Sequence, residues 1–343
     1  MVEINLGLQG GGAHGAFTWG VLDRLLSEPD LHIAAISGTS AGALNAAALK
    51  SGYLQGGAEG ARENLAWFWH EVASLDNFAL PDWLQPFMPP ISVLSKNIEY
   101  SPAFAAADAA SRMFSPYAWG PFYTHPLHRI VEQFNFGRVC ADEGPELFIS
   151  ATNVRSGRGR VFKGEEITAA SLLASACLPT LYQAVEIEDP ATGMMEAYWD
   201  GGYIGNPTLY PLYSGDLPRD IVIVNINPIV RDRIPNTPQE IQNRINEISF
   251  NSALLQDLRT IHYAQSLKDR EDIPDAAMKD LHVHMIADDK LMNQLSVATK
   301  MVPNPLIMED LKAAGQRAAS TFLAQNKSKI GVESTIDLGA MFG

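Results

Sequence analysis

One seven-residue stretch constrains the chain more than any other: Ile36-Ser37-Gly38-Thr39-Ser40-Ala41-Gly42. The apolar run Ile33 to Ile36 leads into it, and the small, helix-compatible residues Ala41 to Ala48 follow. Strand, tight turn with glycine on both sides of a serine, then helix is the context that a G-x-S-x-G nucleophile elbow requires. Gly38 and Gly42 lack the Cβ that would hold strand and helix apart. A helix starting at Ala41 aims its first amides at the turn, where they favour developing negative charge. A Gly/Ser turn without chemistry has the same local pattern, but the flanking strand and helix favour a nucleophile at Ser40.

A second glycine turn lies upstream. Glu3 to Leu8 reads as a buried strand and Gln9-Gly10-Gly11-Gly12-Ala13-His14-Gly15 as a loop. Ala16 to Leu26 follows as a helix, with Phe17, Val21, Leu22 and Leu25 at helical spacing. A dinucleotide fingerprint would need an acidic residue at the end of the next strand, roughly 20 residues on, and Ile36-Ser37-Gly38 offers none. A phosphate-binding loop would need Gly-Lys-Ser/Thr, which is absent. The reading that fits is an oxyanion hole with the amides of Gly11 and Gly12 as donors, and the alternative is a tight turn without a ligand. In a parallel sheet this loop and Ser40 would meet at the carboxyl ends of neighbouring strands.

The chain has 343 residues, 46% hydrophobic and 19% charged, enough for a sizeable core in one large α/β domain with insertions or in two domains. Gly57 to Val72 reads as an amphipathic helix with Trp67, Phe68 and Trp69. Ser74 to about Pro121 is studded with prolines and aromatics, too long for an ordinary loop and too broken for a regular element. It is expected to be an insertion near the site, either a lid or the wall of an acyl pocket, or else a packed surface excursion. Further helices are expected over Leu127 to Phe134, Ile167 to Ala176, Pro238 to about Leu267 and Pro305 to Gln325. Strands are expected at Leu147 to Ala151, Gly159 to Phe162, Leu181 to Ile187, Glu196 to Trp199, Asp220 to Asn225 and His282 to Ala287. Strands alternating with helices predict a doubly wound, three-layer α/β/α fold around a mostly parallel sheet.

The formal net charge of −14 argues against nucleic acid and against electrostatic capture by anionic lipid, so any peripheral membrane contact should be apolar. The two cysteines, Cys140 and Cys177, make neither a disulfide framework nor a zinc motif, and a reducing, cytoplasmic setting is expected. The first residues run straight into a strand, without the basic and apolar regions of a signal peptide. No stretch is long and apolar enough for a membrane span.

A serine nucleophile needs a base. Asp200, in Trp199-Asp200-Gly201-Gly202, ends a strand-like run, and two glycines allow close approach to another element. Of the eight histidines, His262, His282 or His284 could complete a triad in the order Ser-Asp-His. None sits in a convincing loop after a strand, so a Ser40–Asp200 dyad is favoured and the triad stays open. His14, inside the glycine loop, is expected either to touch substrate or to face solvent at the tip of the turn, and Thr39, beside the serine, is expected to touch substrate.

Together these residues resemble the patatin-like phospholipase family. The similarity runs through Gly10 to Gly15, Gly38-Thr39-Ser40-Ala41-Gly42 and Asp200-Gly201-Gly202, and the helix end Ala174 to Pro179 is also similar. It covers about residues 4 to 210, a catalytic core; residues 211–343 resemble the C-terminal extension of bacterial members. The resemblance implies Ser40 as nucleophile, Asp200 as base and Gly10, Gly11 and Gly12 as the oxyanion hole. It implies hydrolysis of lipid acyl esters through an acyl-serine, with neither metal nor cofactor. An acyltransferase using the same acyl-serine, or a lipid-binding module without catalysis, are the alternatives. Family members often carry Arg or Lys where His14 stands, and that departure turns the expectation toward neutral esters or lysolipids.

Overall fold

A computed structural model describes residues 2–75, 90–190, 192–231, 233–271, 273–274, 278–296 and 298–343. Its strands are β1 (Val2–Leu8), β2 (Leu31–Thr39), β3 (Glu146–Asn153), β4 (Gly159–Phe162), β5 (Val185–Asp189), β6 (Met194–Asp200), β7 (Asp220–Asn225) and β8 (His282–Ala287). The first helices are α1 (Gly15–Leu25), α2 (Ala41–Ala73), α3 (Ile91–Glu99) and α4 (Pro102–Met113). Two short helices follow, α5 (His128–Val131) and α6 (Phe136–Val139), then α7 (Ala169–Ser175) and α8 (Pro238–Glu271). The chain closes with α9 (Asp289–Met292), α10 (Ala298–Met301), α11 (Pro305–Asn326) and α12 (Leu338–Phe342).

The strands form one sheet in the order β5-β6-β3-β2-β1-β7-β8, with β4 paired to β3. β3, β2, β1, β7 and β8 run parallel; β4, β5 and β6 are antiparallel to their neighbours. Strand alternation sorts the core into two faces. Val222 and Val224 of β7 join Leu6, Leu8 and Ile36 in a cluster with α1, α2 and α11. Ile221 and Ile223 point the other way, to Leu254, Leu258 and Ile261 of α8 and Leu338 of α12. Covered on both faces, β7 is buried at every position, which explains its near-continuous apolar sequence. This is the expected three-layer α/β/α fold.

Residues after 210 belong to the same sheet. β7 pairs with β1 at its centre, and α11 packs lengthwise on α1. Where Gly20 of α1 meets α11, a Cβ would run into the Lys312 carbonyl.

Several expectations needed revision. Within the proline-studded stretch, Pro90 caps α3 and Pro102 opens α4, where a missing N–H costs nothing, so these prolines start helices rather than break them. The part of that stretch at 76–89 lies outside the described residues. The helix expected from Gly57 is the second half of α2, which leaves helical geometry only at Gly56 and Gly57. The long helix expected from Pro238 is continuous and runs on to Glu271. Among the described residues no helix is long and apolar enough to cross a membrane.

One detail of the sheet places the site. β2 and β6 lie end to end along the same edge of β3. β2 pairs with it up to Thr39 opposite Ser150, and β6 takes over with Asp200 opposite Ala151. The other edge of these β3 residues is occupied by β4.

Candidate active site

Ser40 follows the last residue of β2 and caps α2. Its φ of 54° makes it the one non-glycine residue with positive φ among the described residues. Such a conformation is strained for an L residue and persists only where its surroundings enforce it. Those surroundings are specific. A Cβ on Gly42 would strike the Leu8 carbonyl, and one on Gly38 would lie 2.7 Å from the Gly42 oxygen. The Ser40 N–H donates to Ser175 Oγ at 2.9 Å. The Thr39 hydroxyl donates to the Gly205 carbonyl at 2.8 Å and bonds Ser150 Oγ at 2.7 Å.

Asp200 arrives from the other side of the β2–β6 junction. Its N–H donates to the Cys177 carbonyl at 2.8 Å, and its carbonyl accepts from Thr152 Oγ1 at 2.8 Å. Its carboxylate accepts the Gly202 N–H at 2.7 Å, and the Ser40 side chain lies against it and favours its charged form. The glycines after it allow this. A Cβ on Gly201 would meet the Ser150 carbonyl, and one on Gly202 would lie 2.7 Å from the Phe250 ring. Asp200 is 2% exposed, and burial pushes its carboxyl up to about 7, against the opposite pull of the Gly202 N–H and the nearby Ser40 hydroxyl. The Cys177 thiol and the Tyr203 hydroxyl, both near this carboxylate, are pushed up to about 12 by the same desolvation. A carboxylate with such a value exchanges a proton near neutral pH.

The glycine loop closes the third side. Ideal Cβ geometry at Gly10 falls 2.6 Å from the Ser40 Cβ, so only glycine lets the loop lie against the serine. The Gly10 N–H donates to Asn206 Oδ1 at 2.6 Å, so this expected oxyanion donor is already engaged. The amides of Gly11 and Gly12 find no acceptor among the described residues, and Gly12 is exposed. Behind the loop lies a buried amide network. Gln9 Oε1 accepts from the backbone of Ile226 and Asn227 and from Asn227 Nδ2, while Gln9 Nε2 donates to the Asn206 carbonyl and Asn251 Oδ1.

Other expected site residues lie elsewhere. Thr39 is fully buried with its hydroxyl engaged, so it anchors the elbow and does not face substrate. His14 is also buried. Thr299 Oγ1 donates to the Ser296 carbonyl, so His14 Nε2 donates to Thr299 at 2.7 Å. Burial, then the charges of Lys300 and Arg231, hold His14 well below the usual imidazole range and neutral. His282 and His284 flank Asp220 at the start of β7, with His284 Nε2 at 2.9 Å from its carboxylate. That is the amino end of the parallel strands, opposite to Ser40. His262 approaches Gly339 of α12. No histidine is hydrogen-bonded to Ser40 or Asp200 among the described residues.

Sequence reasoning missed Gln9, Asn206, Asn227 and Ser175. The first two border motifs, Gln9 preceding the glycine loop and Asn206 preceding Pro207. Ser175 lies in the helix end Ala174 to Pro179, but its bond to Ser40 depends on where α7 ends. Asn227 carries no local signal, since its role comes from where β7 ends.

No relative was found among curated protein sequences. Among solved structures, VipD from Legionella pneumophila aligns with a TM-score of 0.43 and 13% identity over 94% of this chain and 67% of that one. The ExoU–SpcU complex from the type III secretion system of Pseudomonas aeruginosa aligns at 0.28 and 17% over 100% and 65%. The family model for patatin-like phospholipases matches residues 6–213, a span that includes the glycine loop, Ser40 and Asp200. The chain belongs to the patatin-like phospholipase family.

Proposed function

We propose that the protein is a serine acyl hydrolase that cleaves carboxylic esters of lipids through an acyl-serine intermediate. The observation that carries this reading is the placement of the Ser40 side chain against the carboxylate of a buried Asp200, which burial pushes up to about 7. In the first step Asp200 accepts the hydroxyl proton as Ser40 Oγ attacks the ester carbonyl. The unengaged amides of Gly11 and Gly12 hold the oxyanion, an effect worth about 3–4 kcal/mol for a donor. The alcohol or lysolipid leaves with the proton from Asp200. Water, deprotonated by Asp200, then releases the acid and restores Ser40.

A lipid substrate is supported by apolar side chains exposed beside Asp200, Tyr203 at 41% and Ile204 at 38%. Phe250 of α8 packs on Tyr203. In the turns before it, Ile241, Ile245 and Ile248 are also exposed on α8. In a chain of net charge −14, contact with a lipid surface would be apolar. Pro116 and Tyr117, from the aromatic stretch, bond Gln183 and Ala184, and we assign that end of it to the wall of the acyl site. Cys140 and Cys177 are free, as a reducing, cytoplasmic setting would leave them.

A fluorophosphonate probe tests the reading. Wild-type protein should gain one adduct by intact mass, located at Ser40, and folded Ser40→Ala should gain none. Folded wild-type protein that stays unlabelled would leave a lipid-binding module as the better account.

A further inference from the structure

The amide network behind the glycine loop ends on a cation. Lys300, in α10, donates from Nζ to Asn227 Oδ1 at 2.7 Å. That contact fixes which way the Asn227 amide points. Its Nδ2 then donates to the Gly10 carbonyl at 2.8 Å, with a longer bond from Asn206 Nδ2 to the same oxygen at 3.3 Å. The Gly10 carbonyl and the Gly11 N–H are two ends of one peptide group. Bonds accepted at the oxygen polarise that group and make its N–H a stronger donor.

α10 is also the wall against which the loop rests. A Cβ on Gly12 would collide with the Lys300 carbonyl, and His14 is tied to Thr299 of the same helix. The charges facing Lys300 come from three elements. Glu247 of α8 attracts it, and Arg231, after β7, repels it. His14, in the loop, is neutral. Glu247 is itself shared between Arg231 and Arg244, which leaves the cluster net positive in an acidic protein.

We propose that Lys300 is a positioning residue for the reaction: through Asn227 it aligns and polarises the Gly10–Gly11 peptide, so that the Gly11 N–H is aimed at the oxyanion with a cation behind it. The proposal rests on the reading of Gly11 as an oxyanion donor. It assigns a role to a residue that lies outside the 6–213 family match.

The test has a spectroscopic and a kinetic arm. The sequence holds only four Gly-Gly links, at 10–11, 11–12, 56–57 and 201–202. Labelling glycine with ¹³C at the carbonyl and ¹⁵N at the amide therefore isolates the N–H signals of Gly11, Gly12, Gly57 and Gly202. Desolvation, opposed by Glu247, pulls the Lys300 ammonium down to about 8, while Glu247 stays ionised and His14 neutral above pH 7. The Gly11 signal of wild-type protein should carry a titration near 8 that is lost in Lys300→Met, with Gly57 unmoved in both. Lys300→Arg should keep the downfield Gly11 position without that titration. Asn227→Asp, which still accepts from Lys300 but cannot donate to Gly10, should make the same cut if the methionine variant folds poorly. In ester hydrolysis, Lys300→Met should lower kcat about tenfold, less than the roughly 10²–10³ for losing a donor outright. KM should stay within about twofold, and Lys300→Arg should restore most of kcat. A Gly11 signal identical in wild type, Lys300→Met and Asn227→Asp from pH 6.5 to 9.5 would overturn the proposal. If folded wild-type protein hydrolyses no ester, the proposed function fails, and the Gly11 signal still decides whether Lys300 polarises the loop.

Discussion

Replacing Asp200 by asparagine should make the protein more stable and inactive at once. Asp200 is 2% exposed, and its carboxyl is held at about 7 against an ordinary 3.8. The folded state therefore keeps a proton that the unfolded chain gives up. For an acid whose folded value is raised, stability falls as pH climbs from the unfolded value to the folded one. The loss begins near pH 4 and continues until the pH has passed about 7, where the folded carboxyl also ionises. At roughly 1.4 kcal/mol per pH unit, it amounts to about 4 kcal/mol. An asparagine side chain carries no charge to desolvate, and its amide oxygen could still accept the Gly202 N–H that Asp200 takes at 2.7 Å. Equilibrium urea unfolding of both proteins from pH 4 to 9 reads this directly. The two stabilities should nearly coincide at the acid end, and the variant should lead by about 4 kcal/mol at the alkaline end. Parallel curves across the whole range would mean that the carboxyl titrates normally, and the argument from desolvation would fail.

Other outcomes follow from the same geometry. Hydrolysis of an uncharged ester should have kcat/KM rising with pH through about 7 as Asp200 loses its proton, and a profile flat down to pH 5 would remove Asp200 as the base. Ser40→Gly and Ser40→Ala should both be inactive, but the glycine variant should be about 1 kcal/mol the more stable, because only it relieves a φ of 54°. Equal stability in urea would show that the turn is unstrained. Thr39→Val deletes the bonds to Ser150 and Gly205 and should cost about 1–3 kcal/mol in the same assay. A neutral result would mean that those bonds do not anchor the elbow.

Much of this was legible in the sequence because the informative residues are glycines at fixed places. Gly38, Gly42 and Gly10 each stand where backbone or a serine leaves no room for a Cβ, and such positions show in a single chain. The parallel strands were readable for a related reason, since burial on both faces writes a continuous apolar run in β7. The pairing of Ser40 with Asp200 was expected from the motifs, but the way the two meet was not readable. It depends on β6 taking over the edge of β3 where β2 stops, and nothing in the alternation of strands and helices encodes that hand-over. The supports of the glycine loop were hidden too. Asn227 and Lys300 lie far downstream of Gly10; the pairing of β7 with β1 brings the first to the loop, and the packing of α10 brings the second. Proline misled in one stretch, because a residue that ends a helix from within also begins one at its first turn, as at Pro102.

The account stands most directly on hydrolysis by three proteins assayed side by side: wild type, Ser40→Ala and Asp200→Asn, each confirmed folded. The substrates are a long-chain phospholipid, a lysophospholipid and a short-chain ester, each with and without an acceptor alcohol. The account predicts that wild type cleaves a lipid ester, transfers the acyl group mainly to water, and that both variants fall to background. Turnover that survives Ser40→Ala or Asp200→Asn would contradict the dyad, and cleavage of the short ester alone would contradict the lipid.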